Sequence, residues 1–346
     1  MSRFARDLLA LNENGLFCEQ GGFYIDPWRS VDRAVITHAH SDHARWGMKS
    51  YMCARPGAAV LRMRIGDEAP IKKVAYGEVV TLNGVHVSLH PAGHILGSAQ
   101  VRVEYEGQVV VVSGDYKLEP DITCAAFEPL KCHTFVSETT FGLPIYRWPD
   151  QAGVIDEIHR WWKRNQEAGK CSLLLGYALG KCQRALARLD PEVGPILLHG
   201  AVNNMTDAYR SEGIPLPPTR HAATAEKGFD FTKAIVLAPP SANGSTWIRR
   251  FGDHSTAFMS GWMAIRGARR RRAVDRGFVI SDHIDWPSLL TAVAATEAES
   301  VWLTHGYSNV VARFLAEKGL ETRVLSTSWE GEAGEAETDT AEEKAE

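Results

Sequence analysis

The chain has 346 residues and six cysteines, at 18, 53, 124, 132, 171 and 182, and no two of them form a CxxC pair. That spacing argues against a structural zinc site, which uses close-set thiolates, and disulfides are not expected in a reducing compartment. Long hydrophobic runs are also missing: nothing approaches the roughly 18 apolar residues of a membrane span. The opening MSRFARDLLALNENG lacks the apolar core and small-residue cleavage site of a signal peptide, so a cytoplasmic location without a membrane partner is expected. No internal repeat is visible, which excludes a solenoid.

Charge is unevenly spread. From Glu330 onward the chain carries eight acids against Lys344 alone, so a net charge of −4 for the whole becomes +3 for the remainder. The segment 330–346 has almost no core-forming residues and is expected to be a disordered acidic tail on a mildly basic body.

Short apolar runs that end in polar clusters recur through that body. They are Ala34–Thr37, Val85–Leu89, Val109–Val112, Thr134–Val136, Ser172–Leu175, Pro195–Leu198, Ala234–Leu237, Phe278–Ile280 and Val301–Leu303. Runs of this length read as buried strands, and chemistry-capable residues that follow them sit where α/β sheets place their sites. Val154, Ile155, Ile158, Trp161 and Trp162 lie on one helical face that Gly169 ends, and a second helix follows Pro287. The expectation is a mixed α/β protein.

The stretch VITHAHSDHARWG places His38, His40, Asp42 and His43 on a loop leaving the first of these strands. Imidazole and carboxylate at this spacing cannot share one face of a strand or helix, but on a loop they can wrap two adjacent metal ions. His94 in PAGHILGSAQ, Asp115 in VVVVSGDYK and His305 in VWLTHGY also follow apolar strands and complete a set of seven nitrogen and oxygen ligands. Such a set suits two divalent metal ions, zinc first, with manganese or another divalent ion as the alternative.

These seven residues resemble the ligand series of the metallo-β-lactamase superfamily. The resemblance implies a four-layer αββα sandwich, with His38, His40 and His94 on a first metal, Asp42, His43 and His305 on a second, and Asp115 bridging. About 190 residues separate Asp115 from His305, enough for an inserted domain. Glu138 in SETTFG and His283 in ISDHIDW resemble two further motifs of the β-CASP nucleases, which carry an α/β cap domain and cut nucleic-acid phosphodiesters. The implied organisation is a metallo-β-lactamase domain over 1–147 and 271–329, interrupted by the β-CASP cap over 148–270. That cap is expected to cover the metal site and form a groove for one strand. By the same resemblance His283 is the general acid, Glu138 holds its ring, and Asp42 and Asp115 orient the nucleophile.

A phosphate substrate agrees with two further features. Gly180-Lys181 stands at an expected helix start, where backbone N–H groups and a lysine favour an anion. The run Arg266, Arg269, Arg270, Arg271 and Arg272, with Trp262 ahead of it, combines positive charge with a ring for base stacking. The stretches GGFYIDPWRSVDRAVITHAHSDHARWG, LLHGAVNNMTDAYR and SGWMAIRGARRRRAVDRGFVISDHIDW make the chain similar, over roughly 15–325, to bacterial ligase-associated DNA exonucleases. The expected function is a DNA exonuclease of repair, 5′→3′ on single-stranded ends, with a DNA ligase or helicase as partner. His305 and Asp285 instead match RNA-processing members, so an RNA nuclease of the same fold stays open. A small-molecule hydrolase and a catalytically silent binding module are the rivals from other classes; the long insertion weighs against the first and the intact ligand set against the second.

Overall fold

The computed structural model describes residues 7–265, 267 and 273–326. The acidic segment 330–346 and the arginines 266, 269, 270, 271 and 272 lie outside them. The described residues divide into two compact units, one of 7–147 with 283–326, the other of 148–282.

The first unit carries two sheets. One takes Ala10–Asn12, Gly15–Cys18, Phe23–Ile25, Ala34–Val35, Tyr51–Ala54 and Ile71–Val74 in chain order. The other runs Glu321–Val324, Ser300–Thr304, Thr134–Glu138, Gln108–Val112, Ala99–Tyr105, Val85–Pro91 and Val79–Leu82, edge to edge. In the latter, alternation sorts side chains onto two faces. Val110, Val112, Val136 and Trp302 join a core shared with Phe23, Ile25, Val35 and Met52 of the first sheet. Val109, Val111, Phe135, Val301 and Leu303 face the opposite way and pack on Trp286, Leu289, Val293, Val311 and Leu315. Those come from the helices Trp286–Thr296 and Ser308–Glu317. Sheet, sheet and helix layers thus share the central strands, whose uninterrupted apolar character reflects burial on both faces.

The second unit is built on a six-stranded parallel sheet in the order Arg220–His221, Ile196–Leu198, Ile235–Ala238, Cys171–Leu175, His254–Met259 and Arg276–Phe278. Leu174, Leu198 and Leu237 face the helix Gln151–Glu167, while Leu173, Leu197 and Val236 pack with Ala222 and Phe251 on the other side. That helix starts where the Asp150 carboxylate accepts the Gly153 N–H at 2.9 Å and stops before Gly169 at φ 70°. Its buried face includes Val154, Ile155, Ile158, Trp161 and Trp162.

Two sequence expectations are corrected. The run expected over Phe278–Ile280 is a strand over Arg276–Phe278. Because it pairs with His254–Met259, the described residues 273–282 belong to the second unit, and the return to the first falls at His283 instead of 271. No described helix is long and apolar enough to cross a membrane.

Candidate metal centre

The strand Ala34–Val35 is only two residues long and releases the chain at once into the loop of His38, His40, Asp42 and His43. A glycine shapes each of two other approaches. Gly114 turns at φ 58° against the Thr37 side chain, where a Cβ would meet Thr37 Cβ at 2.6 Å, and it delivers Asp115. Gly306 turns at φ 63°, its missing Cβ 2.4 Å from the Thr139 carbonyl oxygen, and it follows His305, which itself holds φ 55°. His305 is thus a left-handed residue at a strand end, a conformation non-glycine residues adopt at a cost.

These loops converge inside the first unit. One ligand atom each from His38, His40, His94 and Asp115 lies within 4.8 Å of the others, and the same holds for His43, Asp115 and His305, and for Asp115, Glu138 and His283. Asp115 is the common member. Its Oδ2 stands 3.5 Å from His38 Nε2, 3.6 Å from His43 Nε2 and 3.9 Å from His94 Nε2, and its Oδ1 is 4.0 Å from His305 Nδ1. Asp42 Oδ2 is 3.6 Å from His43 Nε2, so it borders the second group. Glu138 grips His283 Nδ1 with both oxygens at 3.1 and 3.0 Å, and its Oε1 also accepts the Tyr116 N–H at 3.1 Å.

Electrostatics fit a cation. Burial, reinforced by the surrounding imidazoles, pushes His38 well below its ordinary pKa and His305 down to about 4, which keeps both in the neutral, ligating form. Burial also drives the Asp115 carboxyl up to about 7, helped by Glu138 and Asp42 against the pull of His43 and His283. Asp42 resists burial and stays below the usual range because His43, His305 and His40 surround it. His38 Nε2, His43 Nε2, Asp42 Oδ1, Asp115 Oδ1 and His305 Nδ1 are buried with no hydrogen-bond partner among the described residues. Buried polar atoms are normally paired, so a converging set of orphans made of imidazole nitrogen and carboxylate oxygen fits divalent metal.

One residue that sequence reasoning missed, Asp26, braces this set. The Asp26 Oδ2 atom lies 2.7 Å from His43 Nδ1, and the same carboxylate takes the Thr37 N–H at 2.8 Å and the Thr37 hydroxyl at 2.5 Å. Burial alone would depress His43; Asp42, Asp115 and Asp26 outweigh it and hold the imidazole well above its ordinary value. The available clue was Asp26 at the end of the apolar run FYI and before a proline.

Other expected residues have different surroundings. Lys181 is completely buried, its Nζ 2.7 Å from Asp282 Oδ1 and 4.4 Å above the Tyr177 ring, so it does not present a cation to solvent. The helix it opens, Lys181–Leu186, has only six residues. Trp262 is half-buried in the turn Gly261–Ala264 and packs on the cluster of Leu175, Ala238, Phe258 and Met263. Asp285 caps the helix Trp286–Thr296 by accepting the Ser288 N–H at 3.1 Å, which gives that residue a structural task.

The chain is similar to curated proteins in sequence and to a solved structure in fold. The chain is 32% identical over 326 residues, 93% of its length, to a probable DNA ligase of Opitutus terrae, of which it spans 31%. It is 29% identical over 168 residues, 46% of its length, to the endoribonuclease YSH1 of Yarrowia lipolytica, of which it spans 20%. The chain therefore covers about a third or less of these curated relatives. A crystal structure of a protein of unknown function from Enterococcus faecalis superposes with a TM-score of 0.56 at 12% identity, over 85% of this chain and 79% of that one, a likeness of fold. No family model matches.

Proposed function

The chain belongs to the metallo-β-lactamase superfamily, among its β-CASP nucleases, and from that premise we propose that it is a metal-dependent nuclease that hydrolyses nucleic-acid phosphodiesters. The observation that carries the reading is the convergence of His38, His40, His43, His94 and the half-buried His305 on Asp115, with Asp42 beside His43 and with Glu138 and His283 adjoining. We read the first unit as the αββα sandwich of that superfamily and the second as its inserted cap.

In this reading His38, His40, His94 and Asp115 hold one divalent ion, and Asp42, His43, Asp115 and His305 hold a second. Ions bound there supply Lewis acidity toward a phosphoryl oxygen and toward water at neutral pH. The remaining chemistry falls to side chains. Asp26 fixes the His43 ring, as a carboxylate behind a ligating histidine does. His283 protonates the leaving 3′-oxygen; with Nδ1 turned to Glu138, Nε2 is the transferring atom.

DNA is the preferred substrate in this proposal, as an exonuclease acting in repair on single-stranded 5′ ends; the similarity of 93% of this chain to 31% of a probable DNA ligase motivates the choice of DNA. It also supports a ligase as the functional partner. RNA processing is the second reading, favoured by the endoribonuclease relative. Cleavage of 5′-labelled single-stranded DNA and RNA of one sequence, with manganese or zinc and with Asp115→Ala as the blank, separates the two. Early release of labelled mononucleotide from DNA alone is the expected result; internal cuts or faster digestion of RNA select the second reading. His283→Ala is expected to keep its metal content by elemental analysis while turnover falls by about 10²- to 10⁴-fold.

A further inference from the structure

Trp46 is 78% exposed, the most exposed large apolar side chain of the described residues. Tryptophan carries a large apolar surface, and one left in water forgoes burial that folding would otherwise use. The loop that carries it is firmly tied. The Ala44 N–H donates to the His40 carbonyl at 2.8 Å, the Met48 N–H to Tyr51 Oη at 3.0 Å, and the Tyr51 hydroxyl to the Arg45 carbonyl at 2.8 Å. On the far side the Val31 N–H reaches Met48 Sδ at 3.3 Å. Gly47 holds φ 91°, and a Cβ there would stand 3.0 Å from Ser30 Oγ. The indole is therefore held outward by a pinned turn and is not the end of a slack segment.

Its place in the chain is the second observation. Trp46 follows His43 by three residues, a path of at most about 11 Å between Cα atoms. That is about three stacked nucleotide steps of roughly 3.4 Å each. Arg45 stands between them with a half-buried guanidinium that feels the Asp42 carboxylate, so a cation separates the ring from the candidate ligands along the chain.

We propose that Trp46 is a stacking platform for an unpaired nucleobase close to the phosphodiester cut at the metal centre, which makes a single strand the substrate and a closed duplex a poor one. The proposal rests on the nuclease reading and adds the residue that recognises an unpaired base. Every base has a π-face, so the platform confers strand-form selectivity without sequence preference.

The test compares wild type, Trp46→Ala and Trp46→Phe on a single-stranded oligonucleotide and on the same strand with one abasic position moved along it. Metal content and melting temperature of each variant serve as controls. Trp46→Ala is expected to raise KM roughly tenfold with kcat nearly constant, within the range of alanine substitutions at base-stacking aromatics. Trp46→Phe should restore most of the loss. One abasic position should weaken wild type and leave Trp46→Ala unaffected. Equal KM for wild type and Trp46→Ala, or a lowered melting temperature or metal content that accounts for the loss, overturns the platform. Hydrolysis of bis(4-nitrophenyl) phosphate by wild type reports the phosphodiesterase chemistry separately. Its absence, together with no cleavage of any oligonucleotide, overturns the nuclease reading itself, whereas its presence with equal KM values removes only the role of Trp46.

Discussion

Asp26 Oδ2 sits 2.7 Å from His43 Nδ1, so a residue from the third strand's end fixes the ring of a candidate ligand on the next loop. Asp26 is itself held at φ 45°, outside the comfortable range of a non-glycine residue. Asp26→Asn keeps the shape and removes the charge. Activity or metal affinity should fall by about 10- to 100-fold, the usual cost of losing a carboxylate behind a metal-binding histidine. Metal titration alongside phosphodiesterase rates checks it; unchanged affinity and rate would remove Asp26 from the site.

Gly306→Ala tests the turn that presents His305. The added Cβ would have to enter a space 2.4 Å from the Thr139 carbonyl oxygen, at a backbone φ of 63°. The variant should lose about 1–3 kcal/mol of stability or more by denaturant unfolding, and its metal affinity should fall with it. Gly319→Ala is the control for φ alone, since at φ 90° it has open space around its Cβ position.

The ion pair of Lys181 with Asp282 is wholly buried. Lys181→Met leaves the Asp282 carboxylate in the interior without its lysine, and should destabilise the protein by about 3–5 kcal/mol. Pairing it with Asp282→Leu should recover much of that loss, because apolar replacement of both partners removes the desolvation cost as well. If Lys181→Met instead weakened oligonucleotide binding with no change in unfolding, the expectation of a phosphate contact would return.

A pH effect is expected in the second unit. His159 Nε2 accepts the Asp190 N–H at 3.0 Å, and burial, only partly offset by Asp190 and Asp156, holds its pKa below the ordinary 6.5. The folded form thus prefers the neutral ring. Its contribution is complete above pH 6.5 and is lost as pH falls through the lowered folded value. Titration of this imidazole by NMR should give a midpoint below 6.5, and His159→Phe should flatten that part of the stability profile. A midpoint at or above 6.5 contradicts the assignment.

Much of the candidate centre was legible because its residues are chemically rare and placed after apolar runs. His38, His40, Asp42, His43, His94, Asp115 and His305 carry spacing that a packed interior would not produce by chance, and they lie together. Asp26 escaped because a single aspartate before a proline resembles any turn. Lys181 misled for a related reason: its sequence neighbours suggest a helix start facing an anion, while its partner Asp282 stands 101 residues away. Strands with buried faces, such as Gln108–Val112, were visible as apolar runs. The partly exposed Glu321–Val324 and the polar start of His254–Met259 were not, since pairing and not hydrophobicity defines them.

The division of the first unit has a consequence for synthesis. Thr134–Glu138 has Gln108–Val112 on one side and Ser300–Thr304 on the other. As the chain emerges, its second neighbour does not exist until the whole of 148–282 has been made. Until then a central strand is an open edge, and His283 and His305 are still absent from a loop set that already holds His38, His40, His94 and Asp115. The nascent protein therefore passes through a stage with an adhesive sheet edge and an incomplete cation site. The late helices Trp286–Thr296 and Ser308–Glu317 close that edge's apolar flank in the same event that delivers the last two histidines.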